Sequence, residues 1–98
     1  MTNFHEHKLW QEAYVALMDL EDPELTIIAQ DIAATIADAL TREDRRIGRD
    51  LMHNAIALVA KIRTQLAILW GREQLDDESF RRYDDTYAKL SSSLQSFR

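Results

Sequence analysis

Apolar positions along this chain recur three and four residues apart in four successive segments, the repeat of a helix with one buried face. Trp10, Ala13, Tyr14, Leu17 and Leu20 mark a first helix over about 5–20. Asp22-Pro23 then ends it and starts another: the Asp22 carboxylate can accept a hydrogen bond from a free backbone N–H, and Pro23 lacks only a donor that would go unused in a first turn. The second helix runs to about residue 40. Leu25, Ile28, Ile32, Ile36 and Ala39 form its stripe, beside a strip of small residues at Ala29, Ala33 and Ala37.

A third and longest helix is predicted over about 42–70, with Thr41 as its cap and Ile47, Leu51, Ala55, Leu58, Ile62, Leu66 and Leu69 within one arc. Gly71 is expected to supply a left-handed residue at its end. The fourth opens with Asp76 as cap and Leu75 placed to pack on Phe80; its seam reads Phe80, Tyr83, Tyr87, Leu90, Leu94 and Phe97. Short connections between antiparallel neighbours give the expected fold class, an all-α, up-down-up-down four-helix bundle forming one domain over 1–98.

Helix three breaks the pattern in one respect. Its middle, Ala55-Ile56-Ala57-Leu58-Val59-Ala60, is apolar all round. Ile56 and Ala60 point away from the main stripe, Ile68 lies outside it, and Trp70 reads as a core or interface anchor. Such a belt usually meets another chain, most simply a second copy, so Ile56, Ala60, Ile68 and Trp70 are the candidate oligomer interface.

Composition narrows the chemistry. Two glycines and one proline in 98 residues leave long uninterrupted segments and disfavour a β fold. The absence of cysteine excludes disulfides and thiolate metal sites and is compatible with the cytoplasm. No apolar run approaches a membrane span of about 20 residues. The net charge of −5 opposes unspecific attraction to nucleic acid, so any such role needs local placement of basic residues. Arg42, Arg45, Arg46 and Arg49 provide one, read as projecting outward from the start of helix three, with Arg63 further along. Arginine near a helix amino terminus opposes the dipole unless nearby acids or a bound anion offset it. No aromatic residue is interleaved with them, which argues against a stacking platform for single strands.

Other polar groupings are weaker. Asp50 and His53 resemble half of a di-iron ligand pair, but no second pair exists and His53 faces away from the stripe. His5-Glu6-His7 places its imidazoles on different helix faces. Asp77, Glu78, Arg81, Arg82 and Asp85 read as ion pairs within helix four. There is no phosphate loop, nucleophile triad or paired acidic site, hence no expected catalysis, cofactor or small-molecule substrate.

Phe4, Lys8-Leu9-Trp10-Gln11 and Ala13 resemble the Phe-x-x-x-Lys-Leu/Val-Trp-Gln-x-Ala opening of a family of bacterial four-helix-bundle proteins encoded in intervening sequences of ribosomal RNA genes. Ile36-Ala37-Asp38 resembles that family's Asn-Ile-Ala-Glu-Gly segment, and Gln65-Leu66 through Gly71 and Leu75 its third-helix end. Ala39 stands where the family has glycine, and Ala57-Leu58 where it has Gly-Ser. Relatives serve as accessory proteins of diversity-generating retroelements. The resemblance implies a homo-oligomer, commonly a pentamer, and contact with RNA, DNA or a reverse-transcriptase-like partner. The competing expectation is a regulatory module that binds another protein and no nucleic acid.

Overall fold

The computed structural model describes residues 3–97. A single 3-10 turn, Phe4–Glu6, precedes four helices, α1 (Lys8–Met18), α2 (Pro23–Thr41), α3 (Arg45–Gly71) and α4 (Asp77–Ser96), with no strand among the described residues. The helices pack into a rod 44 Å long and 20 Å across, a cross-section that holds two helix diameters each way. Each helix touches two others: α2 lies between α1 and α3, and α4 between α3 and α1. Side-chain contacts link earlier residues of one helix to later residues of a neighbour. Glu24 meets Gln65 across α2 and α3, Arg63 meets Asp84 across α3 and α4, and Asp19 meets Arg82 across α1 and α4.

All four helices bury a seam that alternates steps of three and four. These seams are Leu9-Ala13-Ala16-Leu20, Leu25-Ala29-Ile32-Ile36-Ala39, Met52-Ala55-Val59-Ile62-Leu66-Leu69 and Tyr83-Tyr87-Leu90-Leu94. The α4 seam matches the expected one except at its ends, where Phe80 is half-buried and Phe97 lies exposed just past the helix. In α1 the center of the stripe is rotated by one position: Leu9 and Ala16 take the core, and Tyr14 is exposed. On α3 the same rotation puts Met52 and Val59 innermost and leaves Leu51 and Leu58 half-buried. Ile47, expected in the arc, is exposed because the seam extended backward from Met52 reaches Gly48 instead. A β-carbon on Gly48 would lie 3.1 Å from the carbonyl oxygen of Ala39, so α2 and α3 approach closely there.

Caps set the boundaries. Asp22 accepts from the backbone N–H groups of Glu24 and Leu25, and Asp76 from that of Ser79, both as expected. The start of α1 differs: His7 is extended and its Nδ1 accepts from Leu9 N–H, so the predicted continuous helix from residue 5 is broken into a turn and a helix. The start of α3 differs too. Thr41 ends α2, its hydroxyl donating to the Asp38 carbonyl, while Asp44 accepts from the Arg46 and Ile47 N–H groups. A carboxylate directly before the first turn displaces Thr41 from the capping role.

The end of α3 is a Schellman closure in an unexpected place. Gly71 remains helical, and the left-handed residue is Glu73, at φ 60°. Gln74 N–H donates to the Leu69 carbonyl and Glu73 N–H to that of Trp70, the 6→1 and 5→2 bonds of the motif.

Candidate functional site

The arginine cluster depends on the break between α2 and α3. Extended backbone at Arg42 and Asp44 turns the chain, so Arg42 sits at the end of α2 rather than on α3. There Arg42 Nε donates to Asp38 Oδ1 at 2.7 Å, one turn back. That hydrogen bond, with the carboxylate's charge, raises the Arg42 guanidinium above its ordinary pKa. Arg63 is engaged as well: it meets Asp84 of α4 through both Nε and Nη2, at 2.8 and 3.1 Å, and the hydrogen bond raises its pKa against the opposing effect of burial. Arg63 therefore ties α3 to α4 and stands apart from the cluster.

Arg45, Arg46 and Arg49 are different. All three are exposed on the first turns of α3, and among the described residues none has an ion-pair partner. Arg45 and Arg49 are one helical turn apart and share a cleft with Arg42 and His53. Arg46 faces outside it. The cleft encloses about 1010 Å³, and its floor is apolar: Met52 and Ile56 from α3, Leu94 from α4 and the Phe97 ring just beyond. Among the described residues no acidic side chain lines it.

Phe97 is the residue that sequence reasoning missed. It lies 48 positions from Arg49, and no local spacing links them; only the meeting of the α4 end with the α3 start brings the ring beside the arginines. It is 40% exposed and meets the His7 ring edge-on at 5.7 Å between centroids.

The candidate interface residues do not form one exposed belt. Ile56 is half-buried against the core and contributes to the cleft floor, whereas Ala60 is exposed. Ile68 is exposed near the end of α3. Trp70 is 44% exposed but engaged within the chain, stacked on Phe80 at 4.6 Å and donating Nε1–H to Asp77 at 2.6 Å. The most exposed large aliphatic side chains are instead Val15, Met18 and Ile27 of α1 and α2, at 66%, 65% and 61%.

The remaining polar groupings resolve into structural contacts. The His5 ring lies against Phe4 and 2.8 Å from Asn3 Oδ1, and His7 caps α1. Arg82, expected to pair within α4, reaches Asp19, the residue after α1, at 2.6 Å, and Asp85 pairs with Lys89. The inter-helix partner competes successfully because Asp19 sits just past the end of α1, beside the first turns of α4. Among the described residues no group of three His, Asp or Glu side chains is placed to hold a metal ion, and no helix is long and apolar enough to cross a membrane.

No protein-family model, curated protein or solved structure matches this chain.

Proposed function

We propose that this protein is a non-enzymatic adaptor, an up-down-up-down helical bundle working as a homo-oligomer, that contacts nucleic acid through Arg45, Arg46 and Arg49. One observation carries the reading: in a chain of net charge −5, these three clustered guanidiniums have no carboxylate partner among the described residues, while Arg42, Arg63 and Arg82 each do. Unpaired arginine presented together is suited to phosphate, which it can grip bidentately. The opposed contacts between successive helices support the topology. The resemblance to the ribosomal intervening-sequence family supports the oligomer, a pentamer by that analogy, in which five weak patches would act together.

The test is binding of labelled RNA and DNA as salt is varied. If three phosphates are neutralised, the logarithm of the affinity falls with that of salt at a slope of about −2 for single strands. Arg45→Glu, Arg46→Glu and Arg49→Glu together abolish binding. No binding at low salt refutes the reading. Exposed Val15, Met18 and Ile27 favour the second reading, a module that binds another protein. A chain that stays monomeric by light scattering and ignores nucleic acid fits that alternative.

A further inference from the structure

We infer that the cleft beneath the arginines takes an unpaired nucleotide, with the base on the Phe97 ring and apolar floor and the flanking phosphates on Arg45 and Arg49; this rests on the nucleic-acid reading above. The cleft joins two features in one space. Its rim carries the guanidiniums of Arg45 and Arg49, unpaired among the described residues, beside an Arg42 already held by Asp38, and its floor is formed by Met52, Ile56 and Phe97. An occupant that satisfies both features brings two negative charges and a flat or apolar body.

A duplex meets only the first demand. Its bases are stacked inside, so its phosphates would reach the rim and leave the floor wet. A fatty carboxylate meets the second, but its single head brings one charge to the two unpaired guanidiniums of Arg45 and Arg49. In a single strand, anionic groups alternate with π-faces, and both follow one another along the backbone. Arg45 and Arg49, one turn apart on α3, offer charges in sequence, and the exposed part of Phe97 offers a ring beside them. About 1010 Å³ is ample for one base with its sugar and neighbouring phosphates.

The test compares a short unstructured RNA oligonucleotide with the same sequence annealed to its complement, using fluorescence anisotropy at fixed low salt. The expected result is roughly tenfold tighter binding of the single strand, the effect of one stacked base. Phe97→Ser removes that preference and leaves duplex binding unchanged, with the helical circular dichroism retained; Phe97→Tyr keeps the preference. Arg45→Glu with Arg49→Glu loses both probes. Equal binding of the two probes, or a preference indifferent to Phe97→Ser, overturns the inference while leaving arginine-dependent binding standing. Laurate displacing the single strand as effectively as unlabelled RNA does would reassign the cleft to a lipid anion. Failure of both probes to bind overturns the inference together with the reading beneath it.

Discussion

Replacing Tyr87 by phenylalanine should stabilise the protein. The side chain is 1% exposed in the middle of the α4 seam, and its hydroxyl has no hydrogen-bond partner among the described residues. A buried hydroxyl stripped of water without a replacement costs about 1–3 kcal/mol. Deleting the oxygen leaves a void of roughly 10 Å³, worth about 0.2 kcal/mol at the usual cavity cost. The net gain is on the order of 1–2 kcal/mol, an increase of about 4–8 °C in Tm per kcal/mol for a domain of this size. Burial, with a smaller contribution from the Asp19 charge, also pushes the Tyr87 phenol above its ordinary pKa of 10.0. The folded state therefore keeps the proton at a pH where the unfolded chain has released it. Stability attributable to this group is intact below pH 10 and falls as pH rises beyond it, by about 1.4 kcal/mol per pH unit, until the folded value is passed. Tyr87→Phe lacks that loss, so the gap between the two proteins should widen above pH 10. Urea unfolding at pH 7 and again at two pH values above 10 measures both effects. Tyr83→Phe is the control: its hydroxyl donates to the Asp19 carbonyl at 3.3 Å, a long bond whose loss should cost about 0.5 kcal/mol. If Tyr87→Phe is destabilising at pH 7, the hydroxyl has a partner and the reasoning fails.

Glu73 occupies a left-handed conformation that costs an L residue about 1–2 kcal/mol. Glu73→Gly should therefore raise stability by about 1 kcal/mol, read from thermal unfolding; an unchanged midpoint would mean that the closure of α3 is not strained. Asp22→Ala removes the acceptor for two N–H groups of α2 and should cost about 1 kcal/mol, whereas Asp22→Asn should cost much less, both by urea unfolding. Asp76 is held below its ordinary 3.8, chiefly by the Ser79 N–H bond. Its stabilisation is present above that value and lost as pH falls through the folded pKa, so Asp76→Asn should flatten the acid limb of the stability profile, while NMR titration reads the lowered pKa directly. Gly48→Val should loosen the α2–α3 approach and lower Tm, since the Ala39 carbonyl it would meet is backbone and cannot swing aside.

The four helices are legible in the sequence because their periodicity is strong and two of the caps, Asp22 and Asp76, are unambiguous. Other features required the third dimension. In α1 and α3 the periodicity marks Ala13, Leu20, Ala55, Ile62, Leu66 and Leu69 as buried, but it also favours Trp10, Leu17, Leu51 and Leu58, which are apolar and pack on the flanks; hydrophobicity alone does not rank a flank below a center. Thr41 and Asp44 are both good caps, and nothing local says which is used. Gly71 is the stronger signal for a left-handed end, yet α3 runs past it and closes on Glu73. At the candidate site the arginines are visible as a cluster, but their difference in pairing is not. Arg42 and Arg63 are neutralised by Asp38 and Asp84, the latter from another helix, and Phe97 joins the cleft from the far end of the sequence.

The edge-on contact of His7 with Phe97 has a practical corollary. Residues at the start of α1 and the end of α4 are spatial neighbours, so a short glycine-serine linker from position 97 back to position 3 should be sterically undemanding. New ends could be opened in the exposed connection just after Gln74, which interrupts no helix and keeps the Gln74 N–H bond that closes α3. Such a rearranged chain would move any appended reporter to the opposite pole of the rod, some 40 Å from the arginines by the molecule's 44 Å length. Ligand binding could then be measured with that mouth unobstructed.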